Sequence, residues 1–270
     1  MPIERINNHD MYYEIHGSGE PLICSGGWGT FCHGNVRHLP RGLTDRYSVI
    51  IFDHRGIGES NDDTSVPSTT RLYADDVVGL LSKLGVSRAH FVGIIGIGAC
   101  IFQEVAIQKP DLVKCLVNTG TWALPDEKFY DQLRLWLEVH KSMGFEAFQK
   151  MVVMEGFSPE FYAQNKDKLL GSTGAWSDLK DHIDTHQRLT EAGLSHNTLD
   201  RLHHIKAPTL VMHNGLDFIT SPRLTVPVEK GIAGACGHWM PEAAHVATGR
   251  EARAEFCEVL LNFLNTQAVN

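Results

Sequence analysis

Between Phe91 and Cys100 the chain reads Phe-Val-Gly-Ile-Ile-Gly-Ile-Gly-Ala-Cys. An apolar strand runs into a glycine-rich turn and then a helix start. This is the outline of a nucleophile elbow of the G-x-S-x-G type, which lifts a hydroxyl onto a strained turn for attack on a carbonyl. No serine stands in the segment. Two anchors place the nucleophile position one residue apart. Counting forward from Ala89-His90-Phe91-Val92-Gly93 puts it at Ile95, whereas counting back from Gln103-Glu104-Val105-Ala106 puts it at Gly96. Gly96 is preferred, because a turn with an unfavourable backbone dihedral suits glycine. Ile97 then offers the next amide, and Gly98 lets the helix pack closely. The plain alternative is a tight strand-to-helix turn built from Gly93, Gly96 and Gly98.

Other chemistry-bearing residues are less organised. His182 and His186 stand four apart on a plausible helix, and His203 and His204 are adjacent. Neither pair comes with the Glu of an H-E-x-x-H arrangement or a placed third ligand, so no metal site is expected. The six cysteines, Cys24, Cys32, Cys100, Cys115, Cys236 and Cys257, include no C-x-x-C pair and read as free thiols. No cofactor is expected.

Positioning such a turn takes a sheet. The 270 residues, 43% hydrophobic and 21% charged, suffice for one α/β domain with an insertion. Tyr12 to His16, Pro21 to Ser25 and Tyr47 to Phe52 read as strands, as do Ala89 to Gly93, Val113 to Asn118 and Thr209 to His213. Leu72, Val77, Leu80, Leu81 and Leu84 give a helix over Thr69 to Leu84, and Phe256, Val259, Leu260 and Phe263 give another over Ala252 to Phe263. Alternating strands and helices imply a mostly parallel, doubly wound sheet covered on both faces. From Ala123 to about Leu202 the alternation gives way to helical segments rich in Trp, Phe, Met and Leu. The expected organisation is a core of residues 1–122 and 203–270, with 123–202 inserted as a helical cap.

In combination these segments resemble the α/β-hydrolase superfamily over nearly the whole chain outside the cap. Pro21-Leu22-Ile23-Cys24-Ser25-Gly26-Gly27-Trp28-Gly29 is similar to that family's oxyanion strand and loop, with Ser25 where His is usual. Phe52-Asp53-His54-Arg55-Gly56-Ile57-Gly58-Glu59-Ser60 resembles its D-x-R-G-x-G-x-S loop, which braces the sheet. Ala207-Pro208-Thr209-Leu210-Val211 and Asn214-Gly215-Leu216-Asp217 resemble its P-T-L-V strand and acid turn. The family order of nucleophile, acid and histidine implies Asp217 as the acid and His238, in Cys236-Gly237-His238-Trp239, as the base. His245, preceded by Ala244, is the rival and reads as a helix-start or supporting residue. The resemblance also implies an oxyanion site at the amides of Ile97 and of Gly27 or Trp28.

A His–Asp pair is a general base even without serine, since the carboxylate fixes the imidazole tautomer and stabilises the imidazolium. The space at Gly96 would then take a water, or an atom of the substrate. Cys100, one turn beyond, is a minor candidate nucleophile. His33 could donate a hydrogen bond to substrate, and Ile95, Trp28, Phe31, Trp122, Trp136 and Trp176 could wall an apolar pocket. The expectation is an enzyme acting on a small apolar or aromatic carbonyl compound. Hydrolysis of an ester, lactone or C–C bond is favoured, and a lyase, isomerase or cofactor-free dioxygenase step stays open. The alternative is a non-catalytic small-molecule receptor on the same fold. The net charge of −8 and the lack of a basic run argue against nucleic acid and anionic membrane as partners. The charged stretch Met1 to Asp10 lacks the apolar region of a secretory signal, so the expected location is cytoplasmic. A homodimer is left open.

Overall fold

The computed structural model describes residues 2–28 and 39–267. His33 lies outside them, as do Phe31 and Cys32. Strands β1 (Ile3–Ile6) and β2 (His9–His16) open the chain, followed by β3 (Glu20–Ser25), β4 (Tyr47–Phe52) and helix α1 (Thr70–Lys83). Next come β5 (Ala89–Gly93), α2 (Ile97–Gln108) and β6 (Val113–Thr119). Between β6 and β7 (Thr209–Asn214) the longer elements are all helical: α3 (Glu127–Met143), α4 (Phe145–Gly156), α5 (Pro159–Leu169) and α6 (Ile183–Ser195). Helix α7 (Pro222–Gly231), strand β8 (Cys236–Met240) and helix α8 (Arg250–Gln267) close the chain.

The strands form one sheet in the order β1-β2-β4-β3-β5-β6-β7-β8. From β4 to β8 every pairing is parallel, and β1 and β2 run antiparallel at one edge. The near-continuous apolar runs of the central strands follow from burial on both sides. Ile23, Phe91, Leu116 and Val211 join the cluster that includes α1 and α2. Their neighbours Leu22, Val92, Val117 and Met212 join the cluster that includes α8.

Two edge strands differ from the sequence expectation. In β1, Ile3-Glu4-Arg5-Ile6 carries too much charge to read as a strand, and its pairing with β2 is set by a two-residue turn. Asn7 and Asn8 adopt φ of 43° and 67° there, the left-handed pair a tight hairpin demands. Strand β8 is not among the strands the sequence suggests. It is short and mostly exposed, so it lacks the apolar signature of its parallel neighbours.

Helix α3 is fixed to the core at its first residue. The carboxylate of Asp126 accepts the Phe129 N–H at 2.8 Å, capping the helix, and accepts from Arg223 Nε on α7 at 2.7 Å. Asp126→Ala is expected to cost about 1 kcal/mol from the lost cap. The measurement is urea unfolding, with a lower midpoint and unchanged slope.

Candidate active site

The turn after β5 hangs from its neighbours by three backbone hydrogen bonds. Ile94 N–H donates to Ser25 O at 2.8 Å, Ile95 N–H to Thr119 O at 3.2 Å, and Gly96 N–H to Gly120 O at 2.9 Å. Ile95 has φ of 91°, a costly conformation for a β-branched residue. Gly96 sits at φ 66° and ψ −132°, directly before α2. A Cβ built on Gly96 would meet one heavy atom of the described residues within 4 Å, Gly27 Cα at 3.7 Å. The side chain of Ile95, by contrast, already packs against Gly27. Of the two positions the sequence offered, Gly96 therefore has the sharp dihedral and an open side-chain direction. The helix start lies hard against the loop after β3: a Cβ at Gly98 would fall 2.4 Å from Gly26 O, so glycine is required for the approach.

Asp217 stands in the turn after β7. Its Oδ1 accepts the N–H groups of Ile219 and Thr220, each at 2.8 Å. Its Oδ2 accepts the Thr220 hydroxyl at 2.8 Å and His245 Nδ1 at 2.9 Å. Burial alone would raise this carboxyl. The charge of His245 and the hydrogen bonds from His245 and Thr220 outweigh it and hold the carboxyl below its usual range.

The expected pairing of Asp217 with His238 is not what the structure shows. His238 is the third residue of β8, and its Nε2 lies 3.0 Å from Glu255 Oε1 on α8. Its side chain is 35% exposed, against 5% for His245. The Gly237-His238 dipeptide lies within the edge strand, which continues to Met240. The loop that returns to Asp217 begins after it. That loop is anchored by Asn214 Nδ2, which donates to Ala244 O at 2.8 Å, and by Val246 N–H, which donates to Gly156 O at the end of α4 at 2.9 Å. His238→Ala is accordingly expected to leave turnover within about twofold of the parent, since it removes a surface ion pair of small worth. Steady-state rates on any accepted substrate check this.

One cavity of about 30 Å³ gathers the other candidates. Gly27, Trp28, Ile95, Gly96, Ile97, Trp122, Trp136 and Trp176 all line it, together with His245 and Thr220. Phe129, Leu133 and Ile219, which the sequence does not single out, also line it. The N–H groups at a helix start have no carbonyl one turn earlier, which leaves Ile97 suited to an anion. Trp28, in the loop after β3, meets Trp136 of α3 edge-on at 5.9 Å between ring centroids and His186 of α6 at 5.1 Å. His54 braces the start of that loop, its Nε2 lying 3.3 Å from Ser25 Oγ and 3.4 Å from Gly26 O. Burial lowers the His54 pKa to about 4, so the ring is neutral near pH 7. Trp122 is held from below, where Gln103 Nε2 donates to Thr121 Oγ1 at 2.7 Å and to Trp122 O at 3.0 Å.

The thiol candidates do not join this site. Cys100 is buried against Thr121 and the Trp122 carbonyl, and burial pushes its thiol up to about 12. Of the histidines considered for metal, His186 Nδ1 lies 2.9 Å from His140 Nδ1, and the His203 and His204 rings lie 3.9 Å apart between centroids. Among the described residues no helix is long and apolar enough to cross a membrane.

The family model described as serine aminopeptidase, S33, matches residues 33–248. The chain belongs to the α/β-hydrolase superfamily. Among curated members, the "Putative carbamate hydrolase RutD" of Azorhizobium caulinodans is 30% identical, over 97% of this chain and 98% of that protein. The protein of the same name from Rhizobium rhizogenes is 24% identical, over 96% and 99%. Among solved structures, the enol-lactonase from Burkholderia xenovorans LB400 superposes with a TM-score of 0.84 at 21% identity, covering 98% of this chain and all of that one. MGS-M2, an α/β-hydrolase enzyme from a Medee basin deep-sea metagenome library, gives 0.88 at 22% identity, over 98% and 97%. These likenesses establish the fold and, with the family match, an enzyme of the hydrolase superfamily.

Proposed function

We propose that this α/β-hydrolase cleaves a small carbonyl compound with water as the nucleophile, using His245 and Asp217 as the general base and forming no acyl-enzyme. The observation that carries this reading is the Asp217–His245 contact at 2.9 Å in a cavity whose elbow position is Gly96. Asp217 accepts from Nδ1, which leaves Nε2 as the nitrogen free to take a proton. A water needs about 10 to 15 Å³ and two to four polar partners, and the cavity is large enough for one or two.

In the proposed step a water oxygen attacks the carbonyl carbon while its proton passes to His245 Nε2. The carbonyl oxygen becomes an oxyanion facing the amides of Ile97 and of Gly27 or Trp28. The imidazolium, stabilised by Asp217, then returns the proton to the departing oxygen or nitrogen as the carbon–heteroatom bond breaks. The RutD name of the 30%-identical relative puts short carbamates first among substrates, with short esters and lactones next. The largely apolar, aromatic lining favours a substrate with an apolar body beside its carbonyl.

The test is turnover of a panel of short carbamates, esters and lactones, with intact-protein mass spectrometry on rapidly quenched reactions. Product without a burst and without an acyl mass shift supports the reading. A stoichiometric burst with a covalent adduct, or no turnover across the panel, overturns it.

A further inference from the structure

The hydroxyl of Thr220 touches both members of the pair. It donates to Asp217 Oδ2 at 2.8 Å and stands 3.1 Å from His245 Nδ1, closing a triangle whose third side is the 2.9 Å contact between Asp217 and His245. All three groups are buried. With its one proton given to the carboxylate, the Thr220 oxygen turns a lone pair toward Nδ1. The Nδ1–H is therefore shared between two acceptors, and the imidazole cannot rotate without losing both.

We propose that Thr220 is a positioning residue that fixes the orientation of the His245 ring. This rests on the reading of His245 as the base. The turn itself does not need the hydroxyl, because Asp217 Oδ1 already accepts the backbone N–H groups of Ile219 and Thr220. Those two bonds persist when the side chain changes. The hydroxyl serves the oxygen that faces the histidine, and Thr220 also lines the cavity beside it.

Thr220→Val keeps the shape and removes the hydroxyl, whereas Thr220→Ser keeps the hydroxyl. The experiment is nitrogen NMR of the full chain labelled at histidine, with the His245 signals assigned by their loss in His245→Gln, alongside kcat and KM on p-nitrophenyl acetate. Thr220→Val is expected to shift and broaden the His245 Nδ1 signal, because the ring is then held by Asp217 alone and samples further orientations. It should lower kcat about tenfold with KM nearly unchanged, the worth of one hydrogen bond to a charged group. Thr220→Ser restores both readings. An unchanged Nδ1 signal in Thr220→Val, or no rescue by serine, overturns the proposal. If Thr220→Val does not fold, as judged by its thermal transition, Thr220→Ala removes the same hydroxyl and is read in the same way. Failure of the base reading would show separately, as undiminished turnover in His245→Gln, whereas the nitrogen signal needs no substrate.

Discussion

Replacing His245 with alanine is expected to lower turnover by about 10²- to 10⁴-fold, the range that a positioned general acid–base contributes. The size follows from the geometry. Among the described residues that line the cavity, His245 is the one imidazole, and a buried carboxylate at 2.9 Å holds its ring. His238→Ala, made in parallel, removes a histidine of the same chain that faces Glu255 and should spare the rate. Comparable losses in both variants, or none in either, would sink the assignment. Asp217→Asn should follow His245→Ala in direction, because an amide can present its N–H toward Nδ1 and select the wrong tautomer. The pair also sets a pH dependence of stability. The Asp217 carboxyl is held below its usual range in the folded chain, so its contribution is full above the unfolded carboxylate pKa of about 3.9. It is lost as pH falls through the lowered value, and Asp217→Asn should flatten that acid limb in urea titrations.

The second large effect is a gain. Gly96→Ser places a hydroxyl at φ 66° and ψ −132°, on a turn whose side-chain direction is open and whose next residue begins α2. The variant is expected to react stoichiometrically with a fluorophosphonate probe, which the parent, lacking an elbow hydroxyl, should not. Serine in that conformation costs about 1 to 3 kcal/mol of stability, so a lower unfolding midpoint should accompany the gain. Two controls separate a rebuilt nucleophile from a merely accessible serine. Gly96→Ser combined with His245→Ala should not label, because the hydroxyl then has no base. Ile95→Ser should not label either, since Gly96 is the residue that holds φ 66° and ψ −132° directly before α2. Labelling of Ile95→Ser in place of Gly96→Ser would move the elbow by one residue.

Much of the fold can be read from the chain because its central strands are buried on both faces and its helices carry regular apolar spacing. β4, β5 and α1 lie within a residue of their expected bounds for that reason. The sharp turn after β5 was legible as a pattern of glycines. Its apex was not, because Ile95 adopts a positive φ as Gly96 does, so two adjacent residues share the turn. The histidine that contacts Asp217 differs from the expected one for another reason. A Gly-His pair within a strand and one after a strand look alike unless the end of the strand is known, and the exposed residues of β8 give no periodic signal. His245 follows Ala243 and Ala244, whose small side chains let the loop close over Asn214 and Asp217, and that closeness belongs to tertiary packing. Thr220 had no signal at all: one threonine three residues after an acid is ordinary until its hydroxyl is seen between Asp217 and His245.

The aromatic contact beside Gly96 has a thermodynamic consequence. Trp28 meets Trp136 edge-on at 5.9 Å, and both rings line the cavity. A ligand that enters between them must separate surfaces that the empty protein keeps together, and the work of separation is subtracted from its binding free energy. Trp136→Ala removes that work, so a small substrate analogue that makes little contact with the ring should bind more tightly. Weaker binding in that variant would show that the ring serves the ligand more than it shuts it out. Modest affinity for a well-fitting ligand would in that light measure the strength of contacts among the protein's own aromatic rings.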